Sequence, residues 1–116
     1  MTLRQVAIID AEVKQMTNDE LIMLFNNEMI EYHEIRKKMG YEAQIIESSL
    51  NNSGGYATAK RFISDKPKTG FLNLHKKGLL QYSIEAIVVK PKYSILFTET
   101  ERANCKRLLN QYGYNP

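Results

Sequence analysis

Apolar residues return every three or four positions through most of the chain, and the longest such stripe starts just after Thr17. Ile22, Phe25, Met29 and Tyr32 keep helical spacing, and Leu21, Leu24, Ile35 and Met39 widen the stripe. Glu20, Asn27, Glu31, Glu34 and Lys38 fall on the opposite face. Thr17-Asn18-Asp19-Glu20 spells a capping box, in which the threonine hydroxyl and the glutamate carboxylate satisfy each other's orphan amides. Asp19 and Glu20 suit the positive end of a helix dipole, and Arg36, Lys37 and Lys38 suit the negative end. Gly40 stands where a left-handed cap is wanted. The pattern predicts an amphipathic helix of about six turns.

Upstream, Leu3, Val6, Ile9, Val13 and Met16 predict a helix over 2–15, with a strand at the β-branched residues 6–9 as the competitor. Downstream, 41–50 reads as a shorter helix, ended by the loop signal Asn51-Asn52-Ser53-Gly54-Gly55. Short helices follow at 56–64, before Asp65-Lys66-Pro67, and at 71–77, before Gly78. Ser83 caps a further one at 84–89, stopped by Pro91. Thr98-Glu99-Thr100-Glu101 repeats the capping-box spelling and opens a last helix ending near Tyr112, with Gly113 as its cap. Residues 84–97 also suit a short hairpin, because Ile-Val-Val and Tyr-Ser-Ile-Leu-Phe flank Lys-Pro-Lys. The expectation is an all-α single domain, 1–116, of five to seven helices. Its core is to hold Phe25, Met29, Phe62, Phe71, Leu74, Ile87, Leu96, Phe97 and Leu108.

The chain's 116 residues suffice to bury one core, and 43% hydrophobic with 25% charged residues is a globular composition. The single cysteine, Cys105, allows no internal disulfide and fits a reducing compartment. Residues 1–13 carry Arg4, Asp10 and Glu12 without a continuous apolar run, so neither a signal peptide nor a membrane span is expected, and a cytoplasmic location follows. The net charge of +3 is unevenly placed. Residues 1–55 hold five basic and nine acidic residues, and 56–116 hold eleven basic and four acidic. Such a split fits either an anionic partner for the basic half or two halves that attract each other.

Candidate chemistry is sparse. His33-Glu34-Ile35-Arg36-Lys37 begins like a zincin helix but has Lys37 in place of the second histidine. Glu28, Glu31 and Glu34 climb at three-residue spacing beside the polar face, where solvation is the expectation rather than a metal. His75 lies next to Lys76 and Lys77, which would repel a cation. Cys105 shares a helical face with Leu108, Leu109 and Tyr112, as a core cysteine does. No serine sits in a nucleophile elbow, and Ser53 to Lys60 lacks the spacing of a phosphate-binding loop. No motif asks for a catalytic residue, a metal or a cofactor, and the expectation is a protein without enzymatic activity.

The basic segment has more weight. Lys60, Arg61, Lys66, Lys68, Lys76, Lys77, Lys90 and Lys92 stand among only two acids, and Tyr56, Phe62, Phe71, Tyr82 and Tyr93 interleave with them. Cations on phosphates and aromatics on bases make this a candidate nucleic-acid footprint. No helix-turn-helix can be drawn through it. The face bearing Glu20, Asn27, Glu31 and Glu34 is the candidate protein-docking surface. Gly70-Phe71, Leu74, Ser83-Ile84-Glu85-Ala86-Ile87-Val88, Leu96-Phe97-Thr98, Glu101 and Tyr112-Gly113-Tyr114 resemble a tail pattern recurring in small bacterial and phage proteins. That resemblance covers under half the chain and is tied to no activity. It implies a prokaryotic or phage accessory protein. The first expectation is therefore an accessory protein working through a protein partner, with nucleic-acid binding by 60–92 as the alternative. A homo-oligomer is compatible with either, and a membrane partner is not expected.

Overall fold

The capping box at Thr17 forms as spelled: the Glu20 amide donates to Thr17 Oγ1 and the Thr17 amide to Glu20 Oε1, both at 3.1 Å. It opens α1, Asn18–Lys38, in a computed structural model that describes residues 15–41 and 43–116. Gly40, at φ 86°, turns the chain after α1, and the Tyr41 amide closes back onto the Arg36 carbonyl at 2.9 Å. The expected helix over 2–15, with its strand alternative at 6–9, lies outside the described residues except for its last position.

The remaining helices are α2 (Gln44–Ser53), α3 (Gly55–Phe62), α4 (Thr69–Lys76), α5 (Ile84–Val88) and α6 (Glu99–Gln111). Short 3₁₀ turns at Leu80–Tyr82 and Pro91–Tyr93 flank α5. The described residues form an all-α fold, as expected, and no helix among them is long and apolar enough to cross a membrane.

The loop expected at 51–55 is reduced to one residue. Asn51, Asn52 and Ser53 complete α2, and Gly54 alone breaks the path at φ 85°. Their weak helix propensity is overridden by packing, because α2 and α3 lie together and share a buried Ser49–Thr58 hydroxyl bond of 2.7 Å. Gly55 has a different task. A Cβ there would meet Asn26 Cα and Met29 Cβ at 2.9 Å, so its bareness lets α3 cross close to α1. The Tyr56 amide then donates to Asn26 Oδ1 at 2.7 Å.

The hairpin alternative at 84–97 does not occur. Ser83 Oγ accepts from the Ala86 amide at 3.1 Å, and Pro91 starts a 3₁₀ turn. All five residues of α5 are buried, so the run is apolar because it is surrounded, not because it alternates. The second capping box also forms, with Thr98 and Glu101 exchanging bonds of 2.9 and 3.0 Å at the start of α6. Phe25 anchors the core from α1, its ring 5.0 Å from that of Tyr93 and 5.2 Å from that of Phe97. Phe25, Met29, Phe71, Leu74, Ile87, Leu96, Phe97 and Leu108 are buried as expected. Phe62 is the exception. It is half-buried, and Arg61 and Lys68 hold their charges 5.4 and 5.3 Å from its ring.

Candidate functional site

Several cations of the basic segment have partners within the fold. Lys90 and Lys92 each place Nζ 2.5 Å from a carboxylate oxygen of Glu28, and the Tyr93 hydroxyl donates to the same carboxylate. Lys90 also donates to the Tyr32 hydroxyl at 2.8 Å. Burial pushes the Glu28 carboxyl up, but the bonds from Lys90, Lys92 and Tyr93 outweigh it and leave it below its ordinary value. Glu28 was expected on the solvated face; its side chain is only 12% exposed. Lys60 pairs with Glu101 at 2.8 Å, and Lys68 donates to the Arg61 carbonyl at 3.2 Å. Lys66, Lys76 and Lys77 are exposed. Of the interleaved aromatics, Phe71 and Tyr93 are core residues, and Tyr56, Phe62 and Tyr82 are half-buried. The structure thus does not gather the eight cations and their aromatics into one open surface.

On α1 the residues Glu20, Asn27, Glu31 and Glu34 are all exposed, as the periodicity predicts. Two apolar side chains join them. Met23 is 65% and Ile30 53% exposed, and with Asn27 and Glu34 they repeat at steps of four, three and four. That spacing is the seam of a helix that packs lengthwise against another helix. The signal was legible in the sequence, but the stripe through Phe25 and Met29 is broader and hides it.

A third feature was not anticipated. α2, residues 67–71 and α4 enclose a cleft of about 790 Å³, walled by Ile46, Phe62, Phe71 and Leu74. Its floor is polar. Arg36 is 1% exposed; its Nη1 donates to the Tyr82 carbonyl at 2.5 Å, and its Nη2 lies 3.5 Å from His33 Nδ1. Arg36 Nε is buried without a hydrogen-bond partner. The Tyr41 hydroxyl donates to the Gly70 carbonyl at 3.3 Å on one side. Glu85, 8% exposed, lines the other, and burial pushes its carboxyl up to about 7 against the pull of Arg36 and Lys68. His33, behind Arg36 and 3.6 Å from Glu47, is held below its ordinary value by burial and by Arg36, which keeps it neutral.

Arg36 was expected at the helix end as a dipole partner, not in the interior. Its phase gave it away: Leu21, Phe25, Met29, His33 and Arg36 form one buried stripe. Glu85 was visible too, as the single acid in an otherwise apolar run from Ile84 to Val89. Among the described residues no three of His, Cys, Asp and Glu gather as a metal site. Cys105 is fully buried on α6, and burial pushes its thiol up to about 12. Protein-family models, curated proteins and solved structures offer no match to this chain.

Proposed function

We propose that this chain is a non-enzymatic accessory protein, of the prokaryotic or phage kind its tail pattern resembles, that docks a partner protein on the outer face of α1 in the cytoplasm. The observation that carries this reading is the exposed Met23–Ile30 pair, one heptad apart on a face bordered by Glu20, Glu31 and Glu34. Apolar anchors beside a mostly acidic rim, with Lys38 at its C-terminal end, suit a helix with complementary apolar positions and mainly basic flanks. A second copy of the chain fits less well, since the same face would set acid against acid. Nucleic acid is the rival reading, and it is weakened by the pairing of Lys60, Lys90 and Lys92 with carboxylates of the fold.

The test is a photo-crosslinking residue placed at Asn27 in the native cell, with and without Met23→Asp and Ile30→Asp. A discrete protein adduct at a Lys/Arg-rich helix, lost in the doubly substituted chain while its melting temperature holds, supports the reading. An adduct dominated by nucleic acid, or DNA or RNA retained at low salt and released steeply as salt rises, reverses the ranking.

A further inference from the structure

The cleft beside α2 and α4 has the features of a ligand site and is separate from the α1 face. Its volume of about 790 Å³ falls in the range of small-molecule pockets, roughly 300–1,000 Å³. Its walls are apolar, and its polar groups converge at one end. There Arg36 is almost fully buried, with Nε lacking any partner, and Glu85 is buried beside it. A buried guanidinium with an unmade hydrogen bond is costly unless something completes it. Lys68, exposed on the segment leading into α4, adds a second positive charge at the mouth.

We propose that the cleft binds a small apolar molecule carrying one anionic head group. The head lies among Arg36, Lys68 and Glu85, and the apolar body rests on Ile46, Phe71 and Leu74. The charges decide the sign of the ligand. With Glu85 as the neutral acid, the head-group end carries the positive charges of Arg36 in the floor and Lys68 at the mouth and a carboxylic O–H able to donate, all of which favour an anion. With Glu85 ionised, one of those charges is cancelled and the donor is lost. The groups facing Glu85 are Arg36 from α1, Tyr41 from the segment after it, Lys68 ahead of α4, and Cys105 from α6. Glu85 itself changes charge near neutrality, since burial pushes its carboxyl up to about 7. Anion binding is therefore coupled to a proton held on Glu85, and affinity falls by up to about tenfold per pH unit above that value.

The probe is 1-anilinonaphthalene-8-sulfonate, whose sulfonate stays ionised throughout, titrated into the full chain by fluorescence between about pH 6 and about pH 8.5. The expected result is one dye per chain, bound several-fold more tightly at the acid end. Glu85→Gln should still bind but lose the pH dependence, and Lys68→Glu should weaken binding about tenfold at every pH. N-phenyl-1-naphthylamine, the same ring system without the sulfonate, should bind more weakly and with no pH dependence. Near-UV circular dichroism and melting curves confirm that each variant is folded. A wild-type affinity that ignores pH overturns the proposal, as does a pH dependence unchanged in Glu85→Gln or shared by the neutral dye. Absence of binding at every pH also overturns it.

Discussion

Replacing Glu28 by Gln removes the one carboxylate that gathers Lys90, Lys92 and the Tyr93 hydroxyl. Among the described residues it is also where the acidic half of the chain meets the basic half in ion pairs. Breaking a buried ion pair costs roughly 3–5 kcal/mol, because the remaining charge is stranded. Glu28 is 12% exposed, but Lys90 and Lys92 are 32% and 27% exposed and can swing toward water. Solvation of the two ammonium groups brings the expected loss to about 2 kcal/mol. For a chain of this size that lowers the melting temperature by about 8 °C, read by circular dichroism at neutral pH. The pH dependence supplies an independent check. The folded chain holds the Glu28 carboxyl below the ordinary 4.5, so its stabilisation is fully present above that value and is lost as pH falls through the folded value. The gap between wild type and Glu28→Gln should therefore close in acid. A gap that persists unchanged at pH 3, or no gap at neutral pH, would refute the assignment of this stabilisation to the ionised carboxylate.

Four further outcomes are expected. Thr17→Ala and Thr98→Ala should each cost about 1 kcal/mol in urea unfolding, since each hydroxyl accepts from an otherwise orphaned amide. Gly55→Ala should cost about 1–3 kcal/mol, because the added methyl meets the backbone of α1 at 2.9 Å and no flexible side chain alone can yield. Glu85 should make the protein less stable as pH rises: its folded value, about 7, lies above the ordinary 4.5, so the unfolded chain loses the proton first. That loss, up to about 3 kcal/mol, accumulates between those two values, levels off above 7, and should vanish in Glu85→Gln melting curves. Cys105 should resist a thiol reagent in the native protein and react on denaturation; rapid native labelling would show that α6 is not seated as described.

What was legible in the sequence was local. The two capping boxes, the Ser83 cap and the turn glycines Gly40, Gly78 and Gly113 depend on residues within a few positions of one another, and each does in the structure what its spelling implies. Features that depend on distant neighbours were not legible in the same way. Asn51 to Ser53 read as loop residues because nothing local reveals that α3 packs against α2, through contacts such as Ser49 with Thr58. Gly54 and Gly55 look alike in sequence, yet one reverses the chain and the other clears space for α1. Arg36 carries the chemistry of a surface residue and the helical phase of a core residue, and phase prevailed because the Tyr82 carbonyl is there to receive it. The cleft brings together residues from five helices and the segments between them, so no single segment announces it. The acidic face of α1 was legible, and its apolar seam was present in the spacing of Met23 and Ile30 but masked by the broader core stripe through Phe25 and Met29.

The brevity of α5 bears on how the molecule comes apart. Five residues are far fewer than the roughly 12–15 an isolated helix needs to hold together in water, so its turn of hydrogen bonds cannot precede its surroundings. All five side chains are buried, and α1, α3 and α6 pack around them. No partial opening can expose these amides while leaving the neighbouring helices in place. Hydrogen exchange at Val88 and Val89 should then proceed only through global unfolding, with a protection free energy equal to that of the whole transition. A fragment of residues 56–116 lacks the α1 wall and leaves this segment without a hydrophobic enclosure, so it should remain unfolded until residues 1–55 are supplied in trans.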